Sequence, residues 1–308
     1  MKCFYHVDND GKCAGFWVNE LARHYDGYEK EFFPINYGAE FPFESIHPYE
    51  QIFIVDYSIL PEEMDRLLEI TEDVTWIDHH QSAIKRYENY PHDIKGLRYD
   101  GIAGCMLTYC YFKHMVIAQL DNGSVAAIPF NKSMTQDAPM FTKYVADYDV
   151  WTFEYGDRTK AFQMGLQLYN TEPTDMFSIW RSLLIPNDYV HTESVVIERG
   201  KDLITYRDNW AKEYCESKGF ETEFCGYKCF AMNLGLCGSP EFKSVDDGTY
   251  DMFIGFCFDG EKWSYSLRST TVNVAEIAMM YDGGGHPGAA GFSSKELLLK
   301  KKEENDGV

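Results

Sequence analysis

The chain has 308 residues and a formal net charge of −21, with 45% hydrophobic and 25% charged side chains. This length and apolar content predict about two folded domains and exclude a wholly disordered chain. The acidic excess excludes sequence-independent binding to long duplex nucleic acid, because such binding requires a basic surface that displaces counterions.

Helices and strands alternate in the first half of the chain. Strands are predicted over residues 2–7, 31–36, 51–55 and 74–77, and helices over residues 13–25, 61–71, 102–114 and 138–148. This alternation is typical of a mainly parallel, doubly wound α/β sheet.

The second half has a different pattern. Residues 194–218 predict a long, charged, amphipathic helix, followed by strand-like segments at 222–234, 251–259 and 262–267 and a helix at 274–281. We therefore expect a first domain over residues 1–190, a helical linker over 191–218 and a smaller α/β domain over 219–308.

Membrane and export signals are not indicated. No segment reaches the roughly 18 apolar residues of a membrane span, and the first residues lack the apolar core of a signal peptide. The nine cysteines are scattered and odd in number, which is typical of reduced thiols. We expect a cytoplasmic protein without membrane association; the oligomeric state is left open, with a homodimer as one alternative.

Acidic and histidine side chains follow the ends of three predicted strands. They are His6, Asp8, Asp10, Asp56, Asp78, His79 and His80. Because the carboxyl ends of parallel strands share one edge of a sheet, we expect these side chains to converge there. Alternation along a strand would place His6, Asp8 and Asp10 on one side. Such oxygen and nitrogen donors suit Mn²⁺ or Mg²⁺, and paired ions about 3.5–4 Å apart serve phosphoryl transfer to water.

These motifs resemble those of the DHH phosphoesterase superfamily. The resemblance rests on HVDNDG at residues 6–11, the aspartate of IFIVD and WIDHH at residues 76–80. The segment GGGHPGAAGF at residues 283–292 is similar to the glycine-rich motif of the DHH-associated C-terminal domain. The likeness covers nearly the whole chain and is nearest to the nanoRNase or oligoribonuclease branch.

The resemblance implies a site for two Mn²⁺ ions, with Mg²⁺ as an alternative metal. His6 and Asp8 would bind one ion. Asp10 and His79 would bind the other, and Asp56 would bridge both. Water between two such ions has a lowered pKa and attacks phosphorus as hydroxide.

The resemblance also implies roles for residues around the metals. Asp78 would support the site, and His80 would face the substrate phosphate. The fourth motif supplies one more aspartate, for which Asp147 is preferred to Asp149.

Substrate contacts are expected in the second domain. The amides of Gly283, Gly284 and Gly285 and the side chain of His286 would hold the substrate, with Arg268 as the candidate phosphate ligand. Glycines let a backbone approach a ligand closely, and the planar guanidinium matches phosphate oxygens.

The expected activity is hydrolysis of phosphodiester or phosphomonoester bonds in short oligonucleotides or small nucleotides. A nanoRNase-like exonuclease is the preferred interpretation. Polyphosphate, cyclic dinucleotides and 3′-phosphoadenosine 5′-phosphate stay open as substrates, as does the polarity of cleavage, since the short spacing of residues 6–11 departs from some nanoRNase-like members.

Two alternatives belong to other classes. A mononuclear iron oxygenase needs two histidines and one carboxylate, whereas Asp10, Asp56 and Asp78 crowd this site. A non-catalytic nucleotide sensor would lack ligands, and no expected motif is missing. The aromatic residues Trp151 and Phe153, with Tyr155, are expected in the core rather than in a base-stacking platform.

Overall fold

The computed structural model describes residues 1–21, 29–122, 130–185, 190–235 and 237–301. It contains two compact units, Met1–Lys201 and Asp202–Val308. The boundary between the units falls inside one long helix, Val190–Lys218. The segment predicted as a linker, residues 191–218, therefore lies entirely within one helix. This helix contributes residues to both units.

The first unit is built on a parallel sheet of four strands in the order β2-β1-β3-β4. The strands are β1 (Lys2–His6), β2 (Glu31–Ile35), β3 (Ile52–Val55) and β4 (Val74–Ile77). The predicted strands are confirmed to within one residue at each end. The register pairs Tyr5 with Val55 and Val55 with Ile77, so the carboxyl ends of three strands lie side by side.

The helices from the start of the chain to the boundary between the units are α1 (Asn9–Leu21), α2 (Pro61–Ile70), α3 (Gln81–Arg86), α4 (Gly104–Asn122), α5 (Met140–Asp149), α6 (Asp157–Leu166), α7 (Ile179–Leu184) and α8 (Val190–Lys218). Some of them cover the two faces of this sheet. On one face, Met64 of α2 belongs to the same buried cluster as Phe4 and Ile54. On the other, Phe112 of α4 lies 5.5 Å from Phe53, measured between ring centroids. Strands buried on both faces are typical of a doubly wound α/β sheet, which confirms the predicted fold class.

The second unit contains a mixed sheet in the order β5-β6-β7-β8-β10-β9. Its elements are β5 (Phe220–Phe224), β6 (Tyr227–Asn233), β7 (Met252–Phe258), β8 (Trp263–Arg268), α9 (Val274–Met279), β9 (Gly284–His286) and β10 (Ala289–Ser294). Strands β6 and β7 are parallel, and the other neighbours are antiparallel. Val274 and Ile277 of α9 pack in one buried cluster with Ile254 and Leu267 of the sheet.

Two segments of the second unit differ from the sequence-based expectation. Residues 222–234 form two strands instead of one, because Cys225 and Gly226 adopt positive φ values of 51° and 82° and make a two-residue hairpin turn. Part of the glycine-rich run forms the edge strand β9, which pairs with β10. Within the described ranges, no helix combines the length and the apolar character needed to cross a bilayer.

Candidate metal centre

The carboxyl ends of the parallel strands bring acidic and imidazole side chains to one edge of the first unit. β1 ends at His6, Asp56 follows β3, and Asp78 follows β4. Asp56 is buried and has a left-handed backbone with φ 53°. Such strain in a residue with a side chain persists where the surrounding packing holds it, and it is concentrated at functional sites.

His6, Asp8 and Asp56 form one group of side chains that could hold a metal ion. The Nδ1 atom of His6 lies 2.8 Å from Oδ2 of Asp8 and 3.8 Å from Oδ2 of Asp56. The Oδ1 atom of Asp8 accepts the amide hydrogen of Gly11 at 2.9 Å. Asp8 is therefore fixed at the first turn of α1 with its second oxygen turned toward His6.

The expectation that His6, Asp8 and Asp10 alternate along a strand is wrong. β1 ends at His6 and α1 begins at Asn9, so Asp10 enters the site from the first turn of a helix. The apolar run stops at residue 7, and Asp8 favours a helix start because its carboxylate binds a free amide there. The three residues still converge, but through a strand-to-helix turn.

Asp10, His79 and Asp149 form a second group. The Nε2 atom of His79 lies 3.2 Å from Oδ1 of Asp56, 3.3 Å from Oδ2 of Asp149 and 3.8 Å from Oδ2 of Asp10. Asp56 thus turns one oxygen toward His79 and the other toward His6. Its carboxylate lies between the two groups, where a ligand shared by two ions would have to be.

The N-terminus of α4 holds Asp10. The amide of Gly104 donates to Oδ2 of Asp10 at 2.7 Å, and the amide of Cys105 donates to Oδ1 at 3.0 Å. These amides have no partner inside the helix and lie at its positive dipole end, so they stabilise a carboxylate. A side chain on Gly104 has no room, since its Cβ would lie 2.6 Å from Cβ of Asp56.

Asp78 organises the two histidines that follow it. Its fully buried carboxylate accepts the amide hydrogens of His79 at 2.7 Å and of His80 at 3.3 Å, and it lies 2.6 Å from Nδ1 of His80. Burial alone would lower the pKa of His80, but the hydrogen bond and charge of Asp78 raise it above its ordinary value. With Nδ1 engaged, Nε2 is the nitrogen that His80 can offer to a ligand.

The structure reverses the preference for Asp147 over Asp149. The carboxylate of Asp147 accepts hydrogen bonds from the hydroxyls of Thr152 and Thr159 and from the amides of Glu154 and Tyr155. Burial works against ionisation, but these four bonds lower the pKa of Asp147 below its ordinary value. Its oxygens are occupied, whereas Asp149 lies beside His79. We therefore replace Asp147 by Asp149 in the set of proposed ligands.

Negative charge is concentrated at this edge, and no described lysine or arginine pairs with it. Burial and the neighbouring carboxylates of Asp10 and Asp8 raise the pKa of Asp56 well above its ordinary value. The same causes raise the pKa of Asp149 to about 8. In the described part of the chain, the ion-pair partners of these four carboxylates are histidines and not lysines or arginines.

Buried carboxylate oxygens at the site lack hydrogen-bond partners among the described residues. They are Oδ1 and Oδ2 of Asp56, Oδ2 of Asp78 and Oδ2 of Asp149. Unsatisfied buried polar atoms are uncommon and indicate an unseen water, ion or ligand. Carboxylate oxygens and imidazole nitrogens around an uncompensated negative charge fit divalent cations such as Mn²⁺ or Mg²⁺.

Two further residues at the site were not anticipated. Asn36, directly after β2, places Oδ1 3.2 Å from Nε2 of His6 and thereby orients that ring. The ring of Tyr37 lies 5.6 Å from the ring of His6 and 5.7 Å from that of His80. The sequence signal for both was their position at the end of the second predicted strand, since Asp and His residues follow the other strands.

The residues expected to bind substrate lie in the second unit. Arg268 ends β8, an interior strand, and its Nη1 donates to the carbonyl oxygen of Leu267 at 2.8 Å. Gly284, Gly285 and His286 form the exposed edge strand β9, and Gly283 precedes it. Their contacts with substrate stay predictions.

Comparisons with known proteins give two sequence relatives. The uncharacterized protein R106 of Acanthamoeba polyphaga mimivirus is 21% identical over 259 residues, which cover 79% of this chain and 53% of that protein. Oligoribonuclease NrnB of Bacillus subtilis is 26% identical over 259 residues, which cover 79% of this chain and 59% of NrnB. The chain thus spans a little over half the length of these relatives. No family model matches it.

A solved structure shares the fold. The DHH domain of a protein described as a member of a family of ribosomal proteins gives a TM-score of 0.55, at 10% identity, over 94% of this chain and 81% of that one. Fold and site together define a two-unit α/β protein with a cluster of carboxylates and imidazoles at the carboxyl edge of its parallel sheet. The fold is that of a solved DHH domain, and the motifs of this chain resemble those of the DHH superfamily.

Proposed function

We propose that the chain is a two-metal phosphoesterase that hydrolyses short oligonucleotides or small nucleotides. The observation that carries this proposal is the cluster of four carboxylates and two imidazoles whose charge is not neutralised by lysine or arginine in the described residues. The sequence relative named an oligoribonuclease supports the same class of substrate.

The ligand assignment follows two of the three candidate groups at the site; the third joins Asp56 and His79 with His80. His6 and Asp8 would hold one ion, and Asp10, His79 and Asp149 would hold the other. Asp56 would bridge them, because its two oxygens face His6 and His79. Divalent ions supply a lowered water pKa and neutralise charge on phosphoryl oxygens when bound. We prefer Mn²⁺, with Mg²⁺ as the alternative, because imidazole and carboxylate ligands are mixed here.

The other residues position these ligands and the substrate. The amides of Gly104 and Cys105 hold Asp10 from behind. Asp78 fixes the ring of His80 through Nδ1, so that Nε2–H of the charged ring would donate a hydrogen bond to a phosphate oxygen. A charge-assisted hydrogen bond of this kind strengthens as negative charge develops in the transition state.

The substrate is proposed to be short because the chain lacks the positive charge that long nucleic acids require. With a net charge of −21, attraction to many successive phosphates is unfavourable. Arg268, the amides of Gly283–Gly285 and His286 stay the proposed phosphate contacts of the second unit. A cytoplasmic location and a homodimer likewise stay predictions.

A hydrolysis panel tests the proposal. Purified protein with Mn²⁺ or Mg²⁺ is given di- to pentanucleotides, cyclic dinucleotides, 3′-phosphoadenosine 5′-phosphate and polyphosphate, and the products are separated chromatographically. We expect the short linear oligonucleotides to be cleaved fastest. The matched control is Asp56→Asn, which keeps the shape of the side chain but removes the bridging charge.

Each contrary result points to a defined alternative. Preferential cleavage of another substrate on the panel would keep the chemistry and change the substrate. Binding of dinucleotides without turnover would identify a sensor. One Fe(II) per chain in place of two Mn²⁺ ions, measured by metal analysis, would favour oxygen chemistry and overturn the proposal.

A further inference from the structure

The segment between α5 and α6 exposes a tryptophan. Trp151 is 69% exposed, whereas Trp17, Trp76 and Trp180 are buried and Trp210 is 39% exposed. The expectation that Trp151 belongs to the core is therefore wrong. Its indole touches Tyr148 and Phe153, with ring centroids 5.7 and 5.1 Å away. Exposure of this much apolar surface to water is unfavourable.

The backbone of this segment is held in a strained conformation. Trp151 and Phe153 have φ values of 55° and 49°, in the left-handed region that bulky residues rarely adopt. Asp147 over-determines the conformation, because its carboxylate binds two amides and one hydroxyl of residues 152–155. Two strained aromatic residues stabilised by a buried carboxylate are typical of a segment shaped for function rather than for stability.

Trp151 is close in the chain to a candidate ligand of the metal centre. Trp151 follows Asp149 by two residues, and consecutive Cα atoms are about 3.8 Å apart, so their Cα atoms are separated by at most about 7.6 Å. Asp149 contacts His79 within the site. In a nucleotide whose phosphate lies at the metal centre, the base lies several ångströms from that phosphate. This distance is comparable to the separation of the two Cα atoms.

We propose that Trp151 is a stacking platform for a nucleobase adjacent to the phosphate that is hydrolysed. This inference deepens the proposed function and rests on it for the identity of the ligand. Stacking on an aromatic ring suits every base, because every base has a π face. It also supplies affinity that does not depend on positive charge, which this acidic chain has in short supply.

The residues around Trp151 suit contact with a nucleobase better than contact with another protein. Phe153 is contacted by the ammonium of Lys160, which lies 5.0 Å from its ring centroid. Glu154 and Asp157 carry charges in and directly after the same segment. Of the three rings in contact here, Trp151 is the exposed one and Tyr148 and Phe153 are partly buried, so the cluster offers one open stacking face. A protein interface usually needs a larger apolar patch.

The test combines removal of the ring with removal of the base. Trp151→Ala and Trp151→Phe are compared with wild type on a diadenylate dinucleotide and on two analogues in which one base is replaced by hydrogen. KM comes from hydrolysis, and Kd comes from calorimetric titration of the metal-loaded protein. Trp210→Ala is the matched control, since Trp210 is a second exposed tryptophan on α8.

We expect Trp151→Ala to raise Kd and KM for the dinucleotide roughly 10-fold, while Trp151→Phe stays near wild type. The effect should disappear for the analogue that lacks the stacked base and persist for the other. Trp210→Ala should leave both constants unchanged.

The inference is overturned if Trp151→Ala binds the dinucleotide like wild type. It is also overturned if the loss is equal for both analogues and for tripolyphosphate, which would show a structural role. A change in oligomeric state on gel filtration would show that the indole contacts a second copy instead. If wild type binds the dinucleotide through Trp151 without cleaving it, stacking stands and the proposed hydrolysis fails.

Discussion

Replacing Gly104 by alanine tests whether the position of Asp56 controls metal binding. The added Cβ would lie 2.6 Å from Cβ and 2.8 Å from Oδ1 of Asp56, whereas ordinary contacts begin at 3.4 Å. Relief of the closer contact needs a shift of about 0.8 Å, which exceeds the tolerance of roughly 0.5 Å within which a binding constellation works. Neither the start of α4 nor Asp56 can move freely, because the amide of Gly104 also holds Asp10.

We expect Gly104→Ala to lower Mn²⁺ affinity about 10-fold or more and hydrolysis about 100-fold. The free energy of unfolding should change little, because two effects on stability oppose each other. Overpacking costs about 1–3 kcal/mol, and alanine favours a helix over glycine by up to about 1 kcal/mol. Calorimetric titration of chelator-treated protein with Mn²⁺ gives the affinity, and thermal unfolding gives the stability.

The matched control is Thr108→Val in the same helix. The Thr108 hydroxyl donates to the carbonyl oxygen of Gly104 at 2.8 Å, and its loss costs about 1 kcal/mol without adding an atom beside Asp56. Metal affinity should therefore survive in this variant. Binding of two Mn²⁺ ions by Gly104→Ala with the wild-type affinity would refute the reasoning.

Three further predictions concern the ligands and the second unit. Asp56→Ala should lose both metal ions and nearly all activity, because one carboxylate serves both groups; metal analysis that finds one ion retained would contradict the bridging role. The metal-free protein should lose stability as pH rises from about 4 to about 8, since Asp149 has a raised folded-state pKa and keeps its proton while the unfolded chain releases it. Asp149→Asn should weaken this dependence in chelator-treated protein, with a remainder due to Asp56, and should also weaken metal binding. Asp147→Asn should instead lower the melting temperature. An unchanged pH profile in Asp149→Asn would oppose the assignment. Arg268→Ala should raise KM and leave metal content intact, and loss of metal would show that Arg268 has another role.

Much of the site could be predicted because its residues are tied to strand ends. A buried parallel strand is a short apolar run, and the Asp or His that follows it lies at the carboxyl edge of the sheet. His6, Asp56 and His79 were found in this way, and the structure brings them within a few ångströms of one another. The resemblance to a known superfamily added the pairing of these ligands with two ions, which stays a proposal.

The sequence did not predict which side of a helix a given side chain occupies relative to the site. Asp147 and Asp149 are two residues apart on α5, and each residue of a helix turns the side chain by about 100°. The two carboxylates therefore leave the axis on nearly opposite sides. Which of them meets His79 depends on how α5 packs, and periodicity alone did not decide it.

The chain's own residue order determined the parallel sheet, the strand ends and the concentration of acids and histidines beside them, since these follow from local hydrophobic pattern and from the alignment of parallel strands. Only the tertiary structure decided that Asp149 joins the site, that the amides at the start of α4 hold Asp10 and that Trp151 stands open to solvent. These contacts join segments distant in sequence, or depend on helix packing and on a buried carboxylate that bends the chain. Their geometry is set by packing in three dimensions, which residue spacing does not encode.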